Sequence, residues 1–383
     1  MALRSGIALS LLRRGFSSYR RGGDASSSRG RPSFRREKQP TRRQAAAPGE
    51  LLCGMHVVQL ALEARTRELH ELVLDRERDG EGEFEALRKL ARAEDVPVTL
   101  RSKERMNNML SAGGGGNGRA PRHQGAVLRA GGLAFHEINS APAFEDDLLP
   151  AMRSDAETDR AGTARAAAAA AAALAPRRAR RVILALDEVV DPQNMGALLR
   201  TALFVGVTAV VASKRNCAPL TPAVSSSSAG ALEVLAAEGR LACVRQLPVW
   251  LKSLRNIEHD GGSAGETPLL RPWRVLGADM GGVAVAADGS WETTLAGEEA
   301  VSAHSDVVLV MGSEGSGLRA TVRAACDALV AAPRATPPTG ARHPSCALVD
   351  SLNVSVSAGI LLDRLRGERR ANLKYFQKHI RCT

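Results

Sequence analysis

From about residue 180 onward the chain alternates short apolar runs with helical patterns. VILAL, VTAVVA, LACVRQL, WRVLGADM, VAVAAD and VVLVM are runs of strand length rich in Val, Leu and Ala. Runs that are apolar almost throughout suit strands covered on both faces. Between the first two, Leu198, Leu199, Ala202 and Leu203 recur at helical spacing. A last helical pattern begins near Asn353 and continues through GILLDRLRGERR. Strands alternating with helices predict an α/β domain built on a mostly parallel sheet.

An earlier region, from about Leu51 to Ala130, reads as a smaller α/β sandwich. HVVQLALEA, starting at His56, has helical spacing, and ELVLD is a short strand. Phe84, Leu87, Leu90 and Ala91 share one face of a second helix, and VPVTLR is a further strand. The run GGGGNG, Gly113 to Gly118, predicts a loop. Eight consecutive alanines, Ala166 to Ala173, end at Pro176 and a run of arginines. They offer no apolar face to bury, so a linker is expected there. His259 to Arg271 and Arg334 to Val349 are rich in Gly, Pro or Ser and read as insertions. The expected layout is a leader over 1–48, a first domain over 49–135, a linker over 136–179, a second domain over 180–371 and a tail over 372–383.

Charge changes this picture less than its total suggests. Residues 1–50 hold 12 Lys+Arg and 3 Asp+Glu, so +9 of the net +11 sits there and +2 is left for the other 333 residues. That leader is rich in Arg, Ser and Ala, its first acidic residue is Asp24, and Leu3 to Leu12 can form a short amphipathic helix. This is the composition of an organelle transit peptide, with a basic arm that binds RNA as the other reading. Mitochondrion is the expected destination and plastid the alternative. No apolar run approaches the roughly 18 residues of a membrane span, so no membrane partner is expected. The six cysteines, Cys53, Cys217, Cys243, Cys326, Cys346 and Cys382, include no C-x-x-C pair. A metal site is therefore not expected, and their scatter suits free thiols in a reducing compartment.

Three motifs carry candidate chemistry. NMGALLR, Asn194 to Arg200, puts Asn194 near a helix start, where Asn is a common cap, and Arg200 about two turns in. GSEGSG, Gly312 to Gly317, follows the strand VVLVM. Its glycine spacing is not the dinucleotide fingerprint, and no Lys-Ser/Thr follows as in a phosphate loop. Gly312 would let backbone approach a ligand closely. Glu314 would repel a pyrophosphate and suits a cation better, such as an Arg from another motif. DSLNVSVSAG, Asp350 to Gly359, places Ser351 and Asn353 where a loop enters a helix.

Taken together, DPQNMGALLRTALFVGV, LVMGSEGSGL and SLNVSVSAGILL resemble the three motifs of the SpoU (TrmH) family of RNA ribose 2′-O-methyltransferases, in the SPOUT class. SAGALEVL, Ser228 to Leu235, also fits, and the resemblance covers roughly Arg181 to Arg366. GMHVVQLAL and RHQGAV make the first domain resemble the L30e-like substrate-binding domain of ribosomal-RNA members. The resemblance implies an α/β SPOUT trefoil-knot domain preceded by a small L30e-like domain. It implies S-adenosyl-L-methionine as cofactor, held by backbone at Gly312, Ala332 and Leu352. It implies catalytic roles for Arg200, Asn194, Glu314, Ser351 and Asn353, with Glu314 pairing with Arg200. It also implies a homodimer acting on organellar large-subunit rRNA, with a guanosine ribose as the target. Two departures concern the cofactor loop. Ala332 replaces a larger apolar residue, and the stretch from Pro333 to Ser351 is long.

Other readings make different demands. A tRNA 2′-O-methyltransferase of the same family often lacks the first domain. A non-catalytic ribosome-assembly factor would not need Asn194, Arg200, Glu314, Ser351 and Asn353. A nicotinamide enzyme would need the glycine spacing that is missing here. Only 3% of residues are aromatic. RNA recognition would thus rest on Arg and Lys against phosphate more than on base stacking.

Overall fold

The computed structural model of the protein describes residues 49–112, 122–138, 180–254, 272–285, 305–333 and 351–366. The expected leader, the Gly113 to Gly118 loop, most of the expected linker, both expected insertions and the tail lie wholly or largely outside these residues.

The N-terminal lobe holds β1 (Glu50–Cys53), α1 (Met55–Ala64), β2 (Leu69–Asp75), α2 (Gly82–Ala93), β3 (Val98–Arg101), α3 (Lys103–Ala112) and β4 (Ala126–Ala130). Its sheet has the order β1-β4-β2-β3, with β2 and β3 parallel and β4 antiparallel to both its neighbours. Phe84, Leu87 and Ala91 bury the expected face of α2 against Leu52, Leu72, Leu74 and Leu128. Helix α3 escapes the apolar pattern because only Met106 and Leu110, one turn apart, are fully buried. They cover the other face of the sheet with Cys53, Val73 and Val127.

The second lobe is a seven-stranded sheet of β5 (His136–Glu137), β6 (Val182–Leu186), β7 (Ala209–Ser213), β8 (Leu241–Val244), β9 (Trp273–Ala284), β10 (Asp306–Met311) and β11 (Ala328–Ala331). The order is β11-β9-β10-β6-β7-β8-β5, and every neighbouring pair is parallel. Side-chain alternation splits the central strands between two cores. Val182, Leu184 and Leu186 face one, and Ile183 and Ala185 face the other. Around the sheet lie α4 (Pro192–Val205), α5 (Pro222–Ser227), α6 (Ala231–Ala237), α7 (Leu247–Ser253), α8 (Ala320–Arg323) and α9 (Val354–Arg366).

Two expectations change here. WRVLGADM and the start of VAVAAD, Val283 and Ala284, read as separate strands, form the single strand β9. Gly282 between them serves close approach: a Cβ there would lie 2.6 Å from backbone of Leu329 and Val330 in β11. The alanine-rich stretch was expected to join the two domains. However, His136 and Glu137 already pair with Ala242 and Cys243 in the large sheet. The covalent join between the lobes is therefore residues 131–135, where Leu133 and Phe135 pack on the second lobe's core. The alanine run belongs to a connection that leaves and re-enters the same sheet. The expected trefoil knot falls on residues 334–350, which lie outside the described residues.

Candidate functional site

A parallel sheet brings the carboxyl ends of its strands to one edge, and in open α/β folds ligands bind there. Three segments meet at that edge: the start of α4 after β6, the loop after β10, and the start of α9.

Asp191 caps α4. Its side chain accepts from the Gln193 N–H at 3.0 Å, and Pro192 occupies the first turn. This corrects the expected cap, since Asn194 lies inside the first turn and is freed for other work. Asn194 is 8% exposed. Gly196 explains how the helix seats: a Cβ there would lie 1.9 Å from Ser227 Oγ on α5.

The glycine loop is a tight turn closed on itself. Ser313 and Gly317 exchange backbone hydrogen bonds of 3.0 and 3.1 Å. Ser313 Oγ accepts from the Ser316 N–H at 3.2 Å. Gly317 has φ +66°, and a Cβ on Gly312 would sit 2.3 Å from the carbonyl of Gly317. The close approach that demands Gly312 is thus the loop's own backbone, and the expected approach to a ligand is not what requires glycine there. Glu314 stands exposed at the tip.

Asn353 does two jobs with the two ends of one amide. Its Oδ1 accepts from the N–H and hydroxyl of Ser355 at 2.9 and 2.6 Å, capping α9. Its Nδ2 donates to Asn194 Oδ1 at 2.9 Å and to Glu314 Oε1 at 3.3 Å. Asn194 Nδ2 in turn donates to Glu314 Oε2 at 2.9 Å. The three motifs, up to 159 residues apart in sequence, thus close into one ring of two amides and a carboxylate. Both amide nitrogens donate to Glu314, which only accepts, and Asn353 Nδ2 also donates to Asn194 Oδ1.

The other sequence-expected residues are placed differently. Arg200 follows Asn194 by six residues, about 9 Å along the helix and well round it. It is exposed and makes no hydrogen bond or ion pair among the described residues. The expected Glu314–Arg200 pair is therefore not formed, because helical geometry turns Asn194 inward and Arg200 outward. Ser351 and Leu352 lie exposed just before Asn353. Gly312 and Ala332 directly follow β10 and β11.

Sequence reading missed Arg319, which fastens the loop to the end of β6. Its Nε lies 3.0 Å and its Nη2 2.5 Å from Oδ1 of the fully buried Asp187. These hydrogen bonds push the guanidinium above its already high value. The only local signal was an Arg directly after the glycine loop.

Residues 181–255 match the SpoU rRNA Methylase family, and residues 51–132 match the family's "RNA 2'-O ribose methyltransferase substrate binding" module. The human "rRNA methyltransferase 1, mitochondrial" is 31% identical over 326 residues, covering 84% of this chain and 73% of its own. The chain belongs to the SpoU rRNA methylase family. A second SpoU relative, the mitochondrial rRNA methyltransferase 1 of Schizosaccharomyces pombe, is 29% identical, covering 84% of this chain and 91% of its own. A bacterial one, the 23S rRNA (guanosine-2'-O-)-methyltransferase RlmB of Pseudomonas putida, is 28% identical, covering 82% and 94%. Membership accounts for both lobes: the SpoU methylase match opens the large parallel sheet, and the substrate-binding match spans the small mixed one.

Proposed function

We propose that this SpoU enzyme transfers a methyl group from S-adenosyl-L-methionine to the 2′-oxygen of a guanosine ribose in mitochondrial large-subunit rRNA. The observation that carries the reading is the ring formed by Asn194, Glu314 and Asn353, one residue from each motif. Its substrate side rests on the matched RNA substrate-binding module and on the names of the relatives.

The chemistry of the sheet edge suits a neutral purine better than a phosphate. Gly312, which has no side chain, and Ala332 leave room at two strand ends, and Leu352 adds an apolar side chain that is 50% exposed. Glu314 makes the edge unfavourable for a phosphate group. When bound, the cofactor supplies an electrophilic methyl group on a good leaving group. What remains for the protein is to orient a hydroxyl and ease removal of its proton. Asn194, Asn353 and Ser351 supply hydrogen-bonding groups for a ribose. An arginine side chain makes a poor base, which speaks against that role for Arg200. It instead pairs with the phosphate beside the target ribose and favours the developing alkoxide.

The second copy in a homodimer would cover the outer face of α4 and α9. Phe204, one turn beyond Arg200, is 66% exposed, and Val356 on α9 is 50% exposed. Exposed large apolar residues of this kind mark association surfaces when they gather on one face. In this arrangement the partner's surface, rather than Glu314 of the same chain, completes the surroundings of Arg200.

The test is a site-resolved 2′-O-methylation map of mitochondrial large-subunit rRNA, with and without the protein. Loss of a guanosine mark is expected. An unchanged map overturns the target.

A further inference from the structure

A second polar cluster lies away from the sheet edge, between the lobes, and the reaction as described does not use it. Arg67, in the turn between α1 and β2, sends its side chain into the second lobe. Its Nε donates to Glu233 Oε2 at 2.9 Å and its Nη2 to Glu233 Oε1 at 3.0 Å. Both side chains are 0% exposed. Nη1 of Arg67 donates to Glu50 and to the carbonyl of Gly131, each at 2.9 Å, so the guanidinium is held from both lobes. Around it, a Cβ on Gly230, which has φ +86°, would lie 2.6 Å from Leu60 of α1.

The helix α5 joins this cluster to the catalytic ring. Its serines point three ways. Ser225 Oγ donates to Glu233 Oε1 at 2.6 Å. Ser226 Oγ lies 3.9 Å from the thiol of Cys53 in β1. Ser227 Oγ donates to the Pro192 carbonyl at 2.9 Å, at the start of the helix that carries Asn194 and Arg200. A short chain of contacts thus runs from Arg67 to α4. The join through residues 131–135, packed on the second core by Leu133 and Phe135, leaves little slack between the lobes.

A buried ion pair is a poor source of stability, since apolar residues of similar volume often do as well or better. A bidentate pair does fix an angle. Resting on the function proposed above, we infer that Arg67 and Glu233 are a positioning pair. They hold the RNA-binding lobe at one set orientation, so that RNA bound there presents a single ribose to the Asn194–Arg200 helix. The lobes then act as a rigid ruler and do not search on a tether.

The test compares the full-length protein with the apolar double variant Arg67→Met/Glu233→Leu and with Arg67→Lys, which keeps the charge but loses the two-pronged geometry. The expected result is that cofactor binding and RNA affinity stay within about twofold of wild type. The turnover number on an rRNA fragment should fall tenfold or more, and methylation should spread to neighbouring nucleotides. Wild-type turnover at a single nucleotide in a folded double variant overturns the inference. If the double variant does not fold, the same readout on Arg67→Lys decides. Amide hydrogen exchange is independent of activity. The lock predicts protection of Met55–Ala64 and Ala231–Ala237 in the wild type and faster exchange of both in the variants. Unchanged exchange overturns it. A wild-type protein that modifies no rRNA fragment but shows this exchange pattern would sink the functional reading and leave the lock standing.

Discussion

Glu314 and Glu233 are both carboxylates that gather donors from distant segments, yet they sit in opposite surroundings. Glu314 receives two side-chain amides at an exposed loop tip. Glu233 receives a guanidinium and a hydroxyl where no solvent reaches. A donor lost from Glu314 can be replaced by water. A donor lost from Glu233 cannot, so a charge would be left buried and unpaired. The open ring can therefore change partners, whereas the sealed pair holds one geometry. In this fold the adaptable polar device lies at the edge of the large sheet and the rigid one lies between the lobes.

Breaking each carboxylate separates the two. Glu233→Ala leaves Nε and Nη2 of Arg67 buried without partners, with Glu50 as the one remaining counter-charge among the described residues, and is expected to cost about 3–5 kcal/mol of stability. Denaturant titration reads this, and a loss below about 1 kcal/mol would show that water or Glu50 compensates. Glu314→Ala is expected to leave stability within about 0.5 kcal/mol, as for an exposed site, while methyl transfer collapses. Arg200→Ala should behave like Glu314→Ala, with transfer lost and the thermal midpoint unchanged. Normal turnover in that variant would remove Arg200 from the mechanism.

A finer cut uses Asn353, whose two amide ends serve different purposes. Asn353→Asp keeps the oxygen that caps α9 but deletes the donor to Asn194 and Glu314. A hydrogen bond to a charged group contributes about 1.5–3 kcal/mol. Turnover should fall roughly ten- to a hundredfold, and at high salt, where repulsion between the new carboxylate and Glu314 is screened, stability should change little. Asn353→Ala should show the same kinetic loss plus about 1 kcal/mol from the missing cap. Equal stability of the two variants would show that capping by Asn353 is unimportant.

The same contrast explains what could be read from the sequence. The strands of the large sheet stand out because burial on both faces makes them apolar throughout. The three motifs stand out because each joins a strand or loop to a helix start, and Asn194, Glu314 and Asn353 do meet. Their exact pairing was not legible. Pairing Glu314 with Arg200 followed from charge and the family resemblance, whereas the phase of α4 decides the outcome by turning Arg200 outward. Arg67 and Glu233 left no local trace. They are 166 residues apart, in a chain with 52 Lys+Arg and 41 Asp+Glu, so nothing marks one such pair among the many possible. The alanine run looked like the join between domains because composition can mark a connection but not which strands it connects.

The smallest effect expected concerns Cys53, which lies at the seam beside Ser226. Burial pushes its thiol above the usual range, and the contact with Ser226 offsets this only in part. The folded protein therefore keeps the proton that the unfolded chain gives up at the ordinary thiol pKa of about 8.5. The stability that Cys53 contributes is complete below that value and is lost as pH rises through the folded pKa. Denaturant midpoints measured from pH 7 to 10 should decline more steeply in the wild type than in Cys53→Ala. Alkylation should spare Cys53 in the wild type, where it is 5% exposed, and reach it in Arg67→Lys once the seam loosens. Equal alkylation of Cys53 in both proteins would mean that the seam stays closed without the two-pronged pair, and apolar packing around Leu60 and Gly230 would then be what holds the lobes.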